Sequence, residues 1–470
     1  MHQEHLLGQV RSVLDDLFSK SADLYQRPFT KEHWMQLVDV GIMVPCIPSP
    51  YGGKLSTKTT FHLLAIASYF ALPLSLRIMI IQLLFTSTLV KHASSATKDE
   101  IFPRLMAGEI GGIAITEPDH GSDALGMQTY YCPTHQGYSI SGMKHWQGLS
   151  GETEWFLIAA RAKTPDGKLA GNVDFFLHEM SQGGMQIAER YHTPGLLMMQ
   201  YGKNEINVEI PTHRKLTFPS GKRNPLIMDV FNTARLAFPA MGLGFFTRIQ
   251  EEAESYAELR QVNKKALKTY DLVKFRLEHL RAWKTICAVL FEHSLTLINV
   301  YQPLADKTLL ADVYKVIISD LMLKASHSLQ QLYGGMGYRR FSFPEMAFAD
   351  SRPFQILDGS NDILSMQIAW LLIKDMQARR IDNFPQFLQA FELTKLADVS
   401  LCDRFMAISP NYDMPQRSLM QLGQLLARVV VVHCLRDAQR HQTLQEGDVE
   451  CALTVLKTEM HQLFYELVSA

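Results

Sequence analysis

The 470-residue sequence predicts an α+β fold with an uncommon order: a helical domain, a β domain, a second helical domain and a helical extension. Three observations carry this. Apolar residues recur at helical spacing up to about residue 112. Between 113 and 225, short apolar or alternating runs are separated by Gly, Pro, Asp and Asn, the signature of a compact antiparallel sheet. From about Phe231 the helical period returns and, beyond the Pro-punctuated link IDNFPQF, persists almost to the end. The expected domains are therefore 1–112, 113–225, 226–375 and 376–470.

In the first segment, Thr30 is a candidate cap for a helix reaching toward Met43, and the helix KDEIFPRLMAG ends at Gly108, which suits a left-handed C-terminal position. The most apolar stretch runs from His62 to Phe85. Pro73, Arg77 and Gln82 interrupt it, so two buried core helices broken at Pro73 are expected and no transmembrane segment. In the second segment, GIAIT, GYSISG, WFLIAAR, VDFFLHE and INVEIP read as strands, with Trp155 to Arg161 fully buried and 163–167 a surface turn. In the third, the glycines of Gly242-Leu243-Gly244 lie inside a helical pattern and read as close helix packing; a dinucleotide fingerprint would follow a strand.

Lys plus Arg (46) and Asp plus Glu (47) nearly cancel, which gives no reason to expect nucleic acid as a partner. The six cysteines, at 46, 132, 287, 402, 434 and 451, form no CxxC pair. A reducing, cytoplasmic setting is expected, with no disulfide scaffold and no metal site. His433-Cys434, on an apolar helix, reads as core. The extension reads as amphipathic helices packing on protein, because it lacks a basic face with aromatic anchors.

Chemistry-bearing residues concentrate in a few places. ITEPDHGSD, residues 115–123, joins hydroxyls, a Gly and a polar loop able to cradle phosphate or the edge of a polar ring. SGMKHW places Trp146 just before a buried strand. ILDGSND, residues 356–362, sets an acid, a Gly and polar residues between apolar neighbours.

These segments resemble the acyl-CoA dehydrogenase family. ITEPDHGSD is similar to its TEPxxGSD, SGMKHW to NGxKxW, the Arg-bearing helix ending in YAELR to YAxxR, QLYGGMGY to QxxGGxGY, and ILDGSND to IYEGTNE. HWMQLVDVGIMVPCIPSPYGG upstream resembles WxxLxExGL…IPxxYGG. The likeness runs in order over roughly residues 15 to 375. It implies an FAD flavoprotein that dehydrogenates an acyl thioester, on coenzyme A or a carrier protein, as a dimer or tetramer, and passes electrons to another flavoprotein. By matching position, Thr116 would bond the flavin's pyrimidine edge, Gly121 and Ser122 would line the pyrophosphate and Trp146 would shield the flavin ring; Arg260, Gln331, Gly334 and Gly335 would hold the ADP half of FAD from the neighbouring subunit, with Ser360 and Asp362 beside the cofactor. Arg235 and Gly359 would face substrate, and Asp358 takes the place of the family's catalytic Glu.

Four departures accompany the likeness. The base position holds Asp358, one methylene shorter than Glu. The alternative base position of some members is Ala234. The Thr or Ser that follows two residues after the Trp is Gly148. RxTFG becomes Arg260-Gln261-Val262-Asn263-Lys264, and the Arg before Asp350 is Ala349. Two alternatives therefore stay open: a flavin oxidase or monooxygenase resembling nitroalkane oxidase, and a non-catalytic binding or scaffold protein.

Overall fold

A computed structural model describes residues 2–21, 23–218, 224–397, 408–441 and 445–469. Cys402 lies outside them; the other five cysteines are free thiols. The chain divides into two units, Met1–Gly244 with Ile298–Thr308, and Phe245–Leu297 with Leu309–Ala470.

In the first unit, the helix Lys31–Asp39 starts where Thr30 accepts the His33 amide and the His33 ring accepts the Thr30 amide, a reciprocal cap that satisfies two otherwise orphaned donors. The helix Thr57–Phe70 ends at Ala71, and a second begins at Leu72 with Pro73 in its first turn, where a missing N–H is harmless. The second continues through a π segment, Ile80–Thr86, to His92. By length and apolarity both Leu72–His92 and Gln416–Arg440 could cross a membrane, but 94% and 89% of their most apolar windows are buried within the protein. They are core helices. Gly108 follows the helix Ser95–Met106 at φ 100°.

The sheet of this unit has seven strands: β1 (Gly111–Ala114), β2 (Tyr130–Pro133), β3 (Gly137–Gly148), β4 (Trp155–Lys163), β5 (Leu169–Glu179), β6 (Met185–Tyr191) and β7 (Tyr201–Pro211). It is mixed, which corrects the expected purely antiparallel arrangement. β4 pairs antiparallel with β5, but β1 and β2 both lie parallel to β4, along Trp155–Ile158 and Arg161–Ala162. Alternation reports which face of a strand is buried and is blind to strand direction. The first six residues of β4 are all buried, as its unbroken apolar run requires. The guanidinium groups of Arg104 and Arg214 lie over its Trp155 ring, 4.4 and 5.1 Å from the centroid. The segment 298–308 is tied to this unit where Tyr301 donates to the Pro45 carbonyl (2.7 Å). Gly244 sits where a Cβ would lie 1.8 Å from the Ala65 carbonyl oxygen, so the glycine permits two helices to touch.

The second unit is helical apart from a two-residue hairpin pairing Gln261–Val262 with Lys265–Ala266. Asp271–Leu297, Thr308–Tyr333 and Asn361–Ala378 are joined by the extension helices Gln416–Arg440 and Glu446–Val468. A Cβ on Gly423 would lie 1.7 Å from the Ser365 carbonyl oxygen, so the first extension helix meets Asn361–Ala378 backbone to backbone. Glu459 of the second accepts from Lys324 (2.7 Å) and Arg428 (2.8 Å). His433 is buried and accepts the Leu396 amide, a core role.

Candidate active site

The predicted site residues fall in both units. In the first unit, Thr116 lies half-buried in the loop after β1, and Gly121 and Ser122 are exposed further along it. The loop is anchored at Glu117, a buried carboxylate. It accepts from the Gln128 and Thr129 amides (2.5 and 2.9 Å) and pairs with the buried Lys144 ammonium (2.9 Å). Lys144 also donates to the Ile115 carbonyl (2.8 Å). Burial pushes the Lys144 ammonium down to about 8 against the pull of Glu117; burial pushes the Glu117 carboxyl up, and the Lys144 charge and amide donors more than reverse it. Breaking such a pair from one side leaves a buried charge uncompensated.

The other side of the loop is held by β3. His145 donates its amide to the Thr116 carbonyl (2.8 Å) instead of to β7. Here β3 carries one residue more than β7 between the pairs Lys144–Asn204 and Gln147–Gly202, a bulge that re-aims a side chain. Trp146 stands on the bulge at φ 60°, with half its surface exposed and its ring 4.5 Å from that of Tyr191. Two residues on, a Cβ on Gly148 would lie 2.8 Å from the Met199 methyl and 3.0 Å from the Ile80 Cδ1. The volume of a Thr side chain is thus filled by apolar atoms. Arg235 is buried near the end of the helix Pro225–Leu236, its guanidinium 5.3 Å from the Phe231 ring centroid.

In the second unit, Arg260 is exposed at the end of the helix Phe238–Leu259 and opens a short hairpin turning at Asn263 and Lys264, both at positive φ. Gln331 is exposed near the end of Thr308–Tyr333, and Gly334 and Gly335 follow in a turn where an added Cβ would meet nothing. Tyr333, just before them, stacks on Tyr256 at 3.8 Å. The acidic loop spans the end of Arg352–Gln355 and the start of Asn361–Ala378. Asp358 takes φ 54° and Gly359 φ 98°. Ser360 precedes that helix at its N-terminal boundary without a side-chain capping bond, and Asp362 is exposed in its first turn. Sequence reasoning missed what fastens the two loops: Glu117 with Lys144, and Lys315 with Asn361. The available signal was a lone Lys in the apolar run VYKVII, and a Lys two residues before the Trp.

The residues suit FAD in what they expose: in the first unit a half-exposed indole and the exposed Gly121 and Ser122, for the flavin and pyrophosphate, and in the second unit uncovered glycine backbone and an exposed Arg, for the ADP half. They do not supply the hydroxyl that Gly148 lacks. Together with the helical, β and helical order, they define the class of FAD-dependent acyl-CoA dehydrogenase folds. The comparisons agree. The chain matches the N-terminal, middle and C-terminal domains of acyl-CoA dehydrogenases over residues 1–109, 112–207 and 224–372, and it belongs to that family. It is 26% identical over 355 residues to cyclohexane-1-carbonyl-CoA dehydrogenase of Syntrophus aciditrophicus, covering 73% of this chain and 88% of that one. It is 23% identical over 344 residues to the human mitochondrial very long-chain specific acyl-CoA dehydrogenase, covering 72% of this chain and 52% of that enzyme, about half its length. In fold it is similar to a Bacillus anthracis acyl-CoA dehydrogenase complexed with FAD (TM-score 0.79, 17% identity, 99% of this chain and 87% of the other).

Proposed function

We propose that this protein is an FAD-dependent oxidoreductase that introduces an α,β-double bond into an acyl thioester, with Asp358 as the base. The observation that carries the reading is an acid in the left-handed region, followed by a second left-handed residue, in the loop where the family motif carries its acid. Backbone placed in a sparsely populated region persists only where its surroundings hold it, and such positions cluster at reacting groups.

FAD, when bound, accepts the β-hydride. Residues of this chain do the remainder. The Asp358 carboxylate takes the α-proton; the shorter side chain stands back by about 1.5 Å relative to Glu, and a misplacement of about 1 Å costs on the order of 100-fold, so the backbone turn at 358 has to make up the reach. Trp146 covers the flavin, while the Glu117–Lys144 pair keeps the Thr116 loop in place for its edge. Arg260, Gln331, Gly334 and Gly335 would hold the ADP half of the neighbouring subunit's FAD; Arg235 in the first unit and Gly359 in the second are each assigned to substrate by the motif match alone. The acyl carrier is coenzyme A or a carrier protein's pantetheine arm, the electron acceptor another flavoprotein, the assembly a homodimer or tetramer, and the setting the cytoplasm. Support for an acyl-CoA comes from the named activities of the relatives, and for the carrier protein from the fold similarity to a prolyl acyl carrier protein oxidase (TM-score 0.71).

The test is anaerobic bleaching of the flavin absorbance by a panel of acyl-CoA and acyl-carrier-protein thioesters. Asp358→Asn should keep FAD and lower the rate of bleaching by about 10²–10⁴-fold, the usual worth of a general base; full activity in that variant overturns the assignment. Gly148, walled by Met199 and Ile80, favours one second reading, electron transfer to oxygen. Rapid hydrogen peroxide formation during turnover in air would decide for it. A protein that takes up no FAD would be a scaffold.

A further inference from the structure

Lys315 lies in the middle of the helix Thr308–Tyr333 among Val313, Tyr314, Val316, Ile317 and Ile318, all buried, and is itself wholly inaccessible. A charged group is retained in such surroundings only where its hydrogen bonds are specific. Its ammonium donates to the Gly359 carbonyl and to the Asn361 Oδ1, both at 2.7 Å. Asn361 in turn donates to Asp320 Oδ1 (2.6 Å), which also accepts from the Gln355 side chain (2.7 Å), and the Asn361 amide lies 2.9 Å from the Ser319 hydroxyl. Positions 315, 319 and 320 thus secure loop residues 355, 359 and 361. Asp358 sits inside this span, its neighbour's carbonyl held by the cation.

We infer that Lys315 is a positioning residue for the reaction: it fixes the two consecutive left-handed residues that aim the Asp358 carboxylate. The inference rests on the reading of Asp358 as the base, and it assigns a reason for a lysine in the helix core. Met at 315 preserves most of the shape and removes the donor. Loss of the Gly359 tether then lets the loop relax toward ordinary backbone angles and carries the carboxylate off its line.

The experiment measures Lys315→Met, Asp358→Asn and the double variant in the FAD-loaded protein. Lys315→Met should lower kcat by about 10–100-fold, with KM and FAD content near wild type. Amide hydrogen exchange should quicken in residues 355–361 and stay unchanged in the rest of the second unit. In the Asp358→Asn background it should cause no additional loss, since residues acting as a unit are non-additive. A kcat within about two-fold of wild type, or loop exchange that is unaltered, overturns the inference. Should Lys315→Met fail to fold, Asn361→Ala removes the second acceptor, and the same readouts apply. Should Asp358→Asn keep full turnover, the base reading falls, while loop exchange still decides whether Lys315 holds the loop.

Discussion

His178 illustrates how a single side chain sets a response of the whole protein. It lies in β5 opposite Phe156, and burial, with the Arg214 charge adding, lowers its imidazole to about 4 from an ordinary 6.5. The unfolded chain therefore binds the proton more readily between pH 6.5 and 4. Stability held above that window is lost as pH falls through it, by up to roughly 3 kcal/mol. Thermal unfolding at pH 7 and at pH 4.5 should show a steep drop in wild type and a shallower one in His178→Leu. At this scale the sequence was informative about chemical type and silent about setting. Asp358, Trp146 and Gly148 could be matched to motif positions, but the left-handed turn at 358 and the apolar atoms filling the space beside 148 are packing outcomes. The pairing of Glu117 with Lys144, and Lys315 altogether, escaped notice because a buried ion in one segment finds its partner in another, which no local pattern records.

Elements were legible where their signals are local. The Thr30 cap, the break before Pro73 and the buried β4 follow from side-chain hydrogen bonding, ring geometry and apolar pattern within a few residues. Strand direction and the bulge at Trp146 did not, since both depend on pairing with strands distant in sequence. Helix contacts behave in the same way. A glycine at 423 is unremarked in the sequence, yet its Cα hydrogen faces the Ser365 backbone carbonyl, which cannot yield as a flexible side chain tip can. Gly423→Ala should destabilise by about 1–3 kcal/mol in chemical denaturation, the ordinary range for overpacking. Gly447→Ala, where a Cβ meets nothing within 4 Å, is the matched control and should leave stability nearly unchanged.

For the molecule as a whole, the family likeness was readable from motif order over most of the chain, and the extension was readable only as helix. Its place depends on contacts with the helices Asp271–Leu297 and Asn361–Ala378, and its own Leu422, Leu426, Val429 and Leu453 are buried. A chain ending at residue 375 would uncover that apolar face. It should bind a hydrophobic dye, melt without a cooperative transition and aggregate at concentrations where the full chain is clear; a monodisperse, flavin-loaded fragment would show instead that the extension is dispensable. The fastening of the acidic loop has a separate consequence for heating. Its grips include the Gly359 carbonyl and the side chains of Gln355 and Asn361, all held from the helix Thr308–Tyr333, so the turn should open together with that helix and not ahead of it.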